Sequence, residues 1–169
     1  MNYNVVPVTI SLLKGLLTPI LTENINYINA PVIAKERGIK VIESKTSETK
    51  DYTSLITLTI KTSKEVCSAA GTLFGRQDQR IVRINKFTLE VIPEVNMLII
   101  YNHDRPGVIG NIGSTLGNNN VNIARLHLSR EQTDKEALVV LSTDSAVTKD
   151  VLDKLCSLPH VTSVKYLKM

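Results

Sequence analysis

Residues 99–117, IIYNHDRPGVIGNIGSTLG, run from an apolar strand through a tight turn into a helix spaced with glycines. Strand, glycine-rich turn and helix is the layout of a dinucleotide-binding loop, which needs G-x-G-x-x-G so that the backbone can approach a pyrophosphate. The spacing here is Gly107, Gly110, Gly113, and the close pair is missing. No ribose-binding acid follows on a second parallel strand. NAD binding at this turn is therefore not expected, and the glycines read instead as a small-residue face that permits close backbone packing.

Strand parity shows what the turn can do. Leu98, Ile100, Asn102 and Asp104 share one side, and Met97, Ile99, Tyr101 and His103 the other. Pro106 is expected at the first helical position, with Gly107, Val108 and Ile109 completing the first turn. Their unpaired N–H groups at the positive end of the helix dipole make a site sized for a carboxylate. Asp104 can accept from an ammonium group, and Asn102 can donate or accept. A carboxylate receptor beside an ammonium receptor fits an amino acid. The residues alone leave a second reading open, in which Asp104 only caps the helix and Asn102 is a polar strand end.

Outward from this turn, the pattern from residue 96 is strand 97–103, helix 106–116, strand 120–130, strand 135–143, helix 146–157 and strand 160–167. That is βαββαβ, the ferredoxin-like order. Val108, Ile112 and Leu116 form one apolar stripe, and Val147, Val151, Leu152 and Leu155 another. Gly117 is expected to stop the first of these helices.

Upstream, IPEVN at 92–96 is the expected boundary, giving domains 1–94 and 95–169. PVTISLLKGLLTPIL reads as a helix with Pro7 in its first turn and apolar repeats at Ile10, Leu13, Leu16 and Leu17, which Pro19 is expected to end or bend. A second helix in NAPVIAKERG has Asn29 as N-cap and Gly38 as C′. IKVIESKT, SLITLTIKTS, KEVCSAAGTLFG, RIVRIN and KFTLEVIP read as antiparallel strands, with ETKDYT (48–53) as a loop. The expected class is α+β, a mixed or antiparallel sheet domain with two helices followed by the βαββαβ domain.

Composition narrows the function. The 169 residues are 43% apolar and 21% charged, close to the globular average, which argues for a folded chain. No apolar run reaches the length of a membrane span, and no signal peptide is evident, so neither a membrane nor secretion is expected. Cys67 and Cys156 are read as two buried thiols in a reducing compartment, the cytoplasm. The net charge of +4 is spread evenly over both halves without a basic block, and aromatics are few, so nucleic acid is not an expected partner. His103, His127 and His160 lie in different elements without metal-ligand spacing. There is no P-loop or G-x-S-x-G elbow. A catalytic site is not expected in this chain, nor a metal.

The motif NHDRPGVIGNIGSTLGNNNVNIARLHLSR resembles that of ACT domains, small βαββαβ modules that bind amino acids. LLKGLLTPIL, INAPVIAKERGIKVIESKT, AAGTLFG, RIVRIN and the D-R-P-G-V-I-G run resemble, in this order, the C-terminal regulatory portion of the long-form D-3-phosphoglycerate dehydrogenase family. The resemblance implies an intervening domain, named for allosteric substrate binding, and an ACT domain that senses L-serine as feedback inhibitor of serine biosynthesis. It implies serine contacts at Asn102, Asp104, the backbone from Pro106 to Ile109, and Asn122. Asn102 stands where some relatives carry an aromatic residue or histidine. Family ACT domains pair, which implies that Asn122 reaches across from a partner chain in a homodimer or tetramer. Arg80 matches a basic position implicated in an anion or effector site, whereas Arg83 and Lys86 read as solvated surface charge. The family's substrate domain and Rossmann NAD domain are not in this sequence, so no cofactor is implied for it. The intervening domain is expected to lack its first strand, and the chain to be a regulatory fragment. The alternative is a free-standing amino-acid-sensing subunit of a separate enzyme.

Overall fold

The computed structural model describes residues 4–46, 52–75, 77–131, 133 and 135–169. In chain order the elements are α1 Val6–Leu17, α2 Ala30–Glu36, β1 Ile56–Lys61, β2 Val66–Phe74, β3 Asp78–Ile84, β4 Phe87–Val91, β5 Asn96–His103, α3 Val108–Asn118, β6 Ile123–Glu131, β7 Glu136–Thr143, α4 Lys149–Cys156 and β8 Val161–Lys168. The class is α+β, as expected. The chain forms two compact units, Met1–Lys50 and Asp51–Met169. The boundary expected near residue 95 lies inside the second, in the link between β4 and β5.

In the first unit, Pro7 sits in the opening turn of α1, where a missing N–H costs nothing. Leu13 and Leu17 turn inward onto Ile25, Ala30, Ile33 and Ala34. Asn29 occupies the N-cap of α2, but its side chain accepts from the Asn26 N–H at 2.7 Å and donates to the Asn24 carbonyl, so it shapes the preceding turn and caps nothing. The stop is the one expected. Gly38 has φ +71, its N–H bonds the Lys35 carbonyl, and the Ile39 N–H bonds the Ala34 carbonyl, the paired bonds of a Schellman motif.

The expected strand IKVIESKT is not one. Residues 39–46 join no ladder, and Val41 and Ile42 are exposed. A strand is a paired object, and alternation alone cannot supply the partner. Of the expected loop 48–53, residues 48–51 lie outside the described residues.

In the second unit, β1 to β4 form an antiparallel meander in chain order. Alternation in β1 holds at Leu58 and Ile60, which are half-buried between exposed Thr57 and Thr59. The other sheet has order β6-β7-β5-β8 with every neighbouring pair antiparallel, the ferredoxin-like topology. Helices α3 and α4 cover one face, where Val108, Ile112, Leu116, Val151 and Leu155 meet Leu98, Ile100, Val139 and Leu141. On the opposite face, Met97, Leu138 and Val140 meet Phe87 and Val91 of β4. β7 is thus buried on both faces, which explains why ALVVL at 137–141 shows no alternation. Tyr101 packs edge-on to Phe87, and burial pushes its phenol pKa above the usual value. The bond from Asn85 opposes that shift, and Cys67 and Glu65 add to it.

Several expected boundaries move. α3 starts at Val108, because Gly107 has φ +90 and cannot be helical. Gly117 lies inside α3. The helix stops instead at Asn119, with Asn120 at φ +56 and bonds from Asn120 N–H to Gly117 carbonyl and Val121 N–H to Leu116 carbonyl. An asparagine thus fills the left-handed C′ position expected of glycine. Thr148 is extended, so α4 begins at Lys149 and Val147 is buried outside the helix. Cys67 is half-buried, and Cys156 is exposed on α4 one residue past buried Leu155, so the expected pair of buried thiols is not found.

Candidate functional site at the β5–α3 turn

Arg105–Pro106–Gly107–Val108 forms a turn with proline second and glycine third, the latter at φ +90 and ψ −18, the type II pattern. The Val108 N–H reaches the Arg105 carbonyl at 3.4 Å. Pro106 is therefore a turn residue and not the first residue of the helix. The Asn111 N–H already bonds the Gly107 carbonyl at 2.9 Å. Among the described residues, the N–H groups of Gly107, Ile109 and Gly110 take no backbone partner, so of the expected Gly107–Ile109 donors only that of Val108 is engaged.

Asp104 caps nothing, and Gly107 holds the N-cap. The Asp104 N–H bonds the Lys135 carbonyl at 2.8 Å. Its Oδ2 accepts from Arg130 Nε at 2.7 Å and Nη2 at 2.5 Å. Asn102 is buried on the helix-covered face and donates from Nδ2 to the Ala137 carbonyl at 3.3 Å. Asn102 lies opposite Ala137, and Ala137 opposite Arg130, so all three share that face across β5, β7 and β6. Asp104, Arg105, Arg130, Glu131 and Lys135 line a cleft of about 470 Å3.

Asn122 lies at the far end of the same sheet. It donates from Nδ2 to Asp144 Oδ2 at 2.6 Å, beside the Ile123–Thr143 pairing. From residue 137 to residue 143 along β7 is about 20 Å at strand rise. One chain therefore brings Asn102, Asp104 and the turn together and leaves Asn122 apart.

Arg130 is the charged residue that sequence reasoning misses. Its alternation with Leu126 and Leu128 is visible in the sequence, but only the β6–β7–β5 register sets it beside Asp104.

The basic residues of β3 and of the turn after it each touch a neighbour, though the buried Arg83 Nε meets no partner among the described residues. Arg80 lies 3.5 Å from Glu90 and stacks over Phe74 at 5.4 Å. Arg83 Nη2 reaches Thr57 Oγ1 at 3.4 Å, and Lys86 pairs with Glu136 at 2.8 Å. No cluster of His, Cys, Asp or Glu that could hold a metal occurs among the described residues. His103 and His160 meet only through the backbone, N–H to carbonyl at 2.8 Å. β5 has antiparallel neighbours on both sides, so the turn lacks the crevice between parallel strands that a dinucleotide occupies. No helix among the described residues is long and apolar enough to cross a membrane.

Comparison with known proteins adds two family matches. The family model of the D-3-phosphoglycerate dehydrogenase intervening domain matches residues 1–85, and that of the ACT domain matches residues 96–160. The chain is similar to D-3-phosphoglycerate dehydrogenase of Methanocaldococcus jannaschii, 37% identical over 157 residues that cover 93% of this chain and 30% of that protein. It is similar to that of Synechocystis at 35% over 163 residues, 96% of this chain and 29% of that protein. The Bacillus subtilis protein of the same name is 32% identical over 162 residues, 96% and 31%. The chain thus spans about 30% of the length of these curated relatives.

Proposed function

Because the chain belongs to the D-3-phosphoglycerate dehydrogenase intervening-domain family and carries an ACT domain behind it, we propose that it is the regulatory portion of such an enzyme and binds L-serine at the β5–α3 turn. The observation that carries this reading is the joining of complementary groups at that turn. Open N–H groups of Ile109 and Gly110 face a ligand carboxylate, and the Asp104 carboxylate meets an ammonium. Gly107 lets the backbone come close. NAD and the chemistry of the parent enzyme belong to a catalytic portion outside this chain, in the cytoplasm, and feedback by serine acts on that portion. Arg80, 3.5 Å from Glu90 and stacked over Phe74, is the weaker candidate, for a second anion site.

Asn122 enters the site from a second copy. One chain holds it about 20 Å from Asp104 by strand rise, so a complete site needs two. The surface suited to pairing is the β6 edge together with the open side of α3. Leu126 and Leu128 of end strand β6 are 42% and 44% exposed on the helix-covered side. Gly110, Gly113 and Gly117 line one open stripe of α3, where a Cβ added at any of the three would meet nothing within 4 Å.

Thermal unfolding and calorimetry with L-serine test the reading. At a serine concentration of about 100 Kd, the folded state should gain roughly 2.7 kcal/mol. Asp104→Ala and Asn122→Ala should each weaken binding by about 1–3 kcal/mol, the worth of a hydrogen bond to a charged group. A melting curve unmoved by millimolar serine would overturn it.

A further inference from the structure

We propose that Arg130 is a specificity-determining residue of the turn site, reading the carboxylate of an α-amino acid while Asp104 reads its ammonium. The inference rests on the amino-acid reading of the turn and assigns a role to a residue that reading does not contain.

The geometry is that of an ion pair with one complementary group left over on each side. Arg130 spends Nε and Nη2 on a single oxygen, Asp104 Oδ2. Among the described residues, Asp104 Oδ1 and Arg130 Nη1 take no partner. One ion pair thus carries both an open acceptor and an open two-proton donor, the chemical complement of an ammonium and a carboxylate in one ligand. The Asp104 side chain is only 26% exposed, whereas that of Arg130 is 64% exposed and open to the cleft. Arg130 also fixes the rotamer of Asp104, so the acceptor is placed before a ligand arrives.

Charge decides what such a site rejects. A lone Asp104 would attract any ammonium. With the guanidinium bonded to it, the local charge is close to zero, and a bare amine meets as much repulsion as attraction. A zwitterion satisfies both partners at once. Arg130 therefore separates an amino acid from its decarboxylated amine, a choice that neither Asp104 nor the N–H groups of α3 enforces alone.

Calorimetry on the full chain with L-serine and ethanolamine tests this. The unaltered chain should bind serine at least 30-fold more tightly than ethanolamine. In Arg130→Gln serine should weaken about 10-fold or more and the preference should collapse to about 3-fold or less. Arg130→Lys, which keeps the charge and loses the fork, should fall between. Asn122→Ala should weaken serine while leaving the preference above 10-fold. Circular dichroism melting controls for folding, and a fold lost in both Arg130 variants would make the residue structural and overturn the proposal. A preference unchanged in Arg130→Gln, with serine still bound, would overturn the role of Arg130 and leave the serine reading standing. No binding of serine to the unaltered chain would overturn both.

Discussion

Gly107 holds the turn in a conformation other residues resist. At φ +90 a Cβ would crowd the backbone, although nothing else lies within 4 Å of it. Gly107→Ala should therefore destabilise the chain by about 1–2 kcal/mol through the backbone alone. Gly110→Ala makes the same chemical change at an open position inside α3 and should stabilise it by up to about 1 kcal/mol. Urea unfolding of the two variants checks the opposite signs, and equal effects would show that φ is not the cause. Residue identity makes D-R-P-G legible as a tight turn, but it misplaces the helix start. Proline suits both a first helical position and the second position of a type II turn, and only the sign of φ at Gly107 separates them. Asp104 is legible as a charged strand end. Its bond to Arg130 is not, because the two residues are 26 positions apart.

At the scale of elements, the apolar stripe of α3 carries the packing of the helix-covered face. Leu116 is fully buried, and it also lies where the Schellman bonds and Val121 close the helix. Leu116→Ala should cost about 2–5 kcal/mol by cavity formation, against less than about 0.5 kcal/mol for exposed Ser114→Ala. Denaturant midpoints at constant slope measure both. The stripes of α3 and α4 and the apolar run of β7 are readable because each is a local period or its absence. The segment 39–46 shows the opposite case. Its residues alternate well enough for a strand, yet alternation describes one side of a pairing and leaves the other unstated. The stop of α3 escapes the sequence for a related reason. Gly117 and Asn120 both tolerate a left-handed backbone, and the helix ends where Val121 can reach Leu116.

For the whole molecule, the proposed site is completed by association. Leu128→Lys places a charge on the exposed side of end strand β6. It should leave the melting temperature of a single chain within about 2 °C, shift the chain to a monomer in light scattering, and abolish the response to serine. A monomer that still binds serine at full affinity would mean that Asn122 is not contributed by a second copy. The order of residues suffices for the α+β class, the βαββαβ order, the faces of the helices and the turn that carries the candidate site. These follow from local rules, the periods of helix and strand and the backbone demands of proline and glycine. Only the folded chain determines that Asp104 meets Arg130, that Arg80 lies beside Glu90, and that Asn122 stands at the far end of the sheet. Those outcomes depend on register between distant strands, and register comes from packing the whole sheet at once.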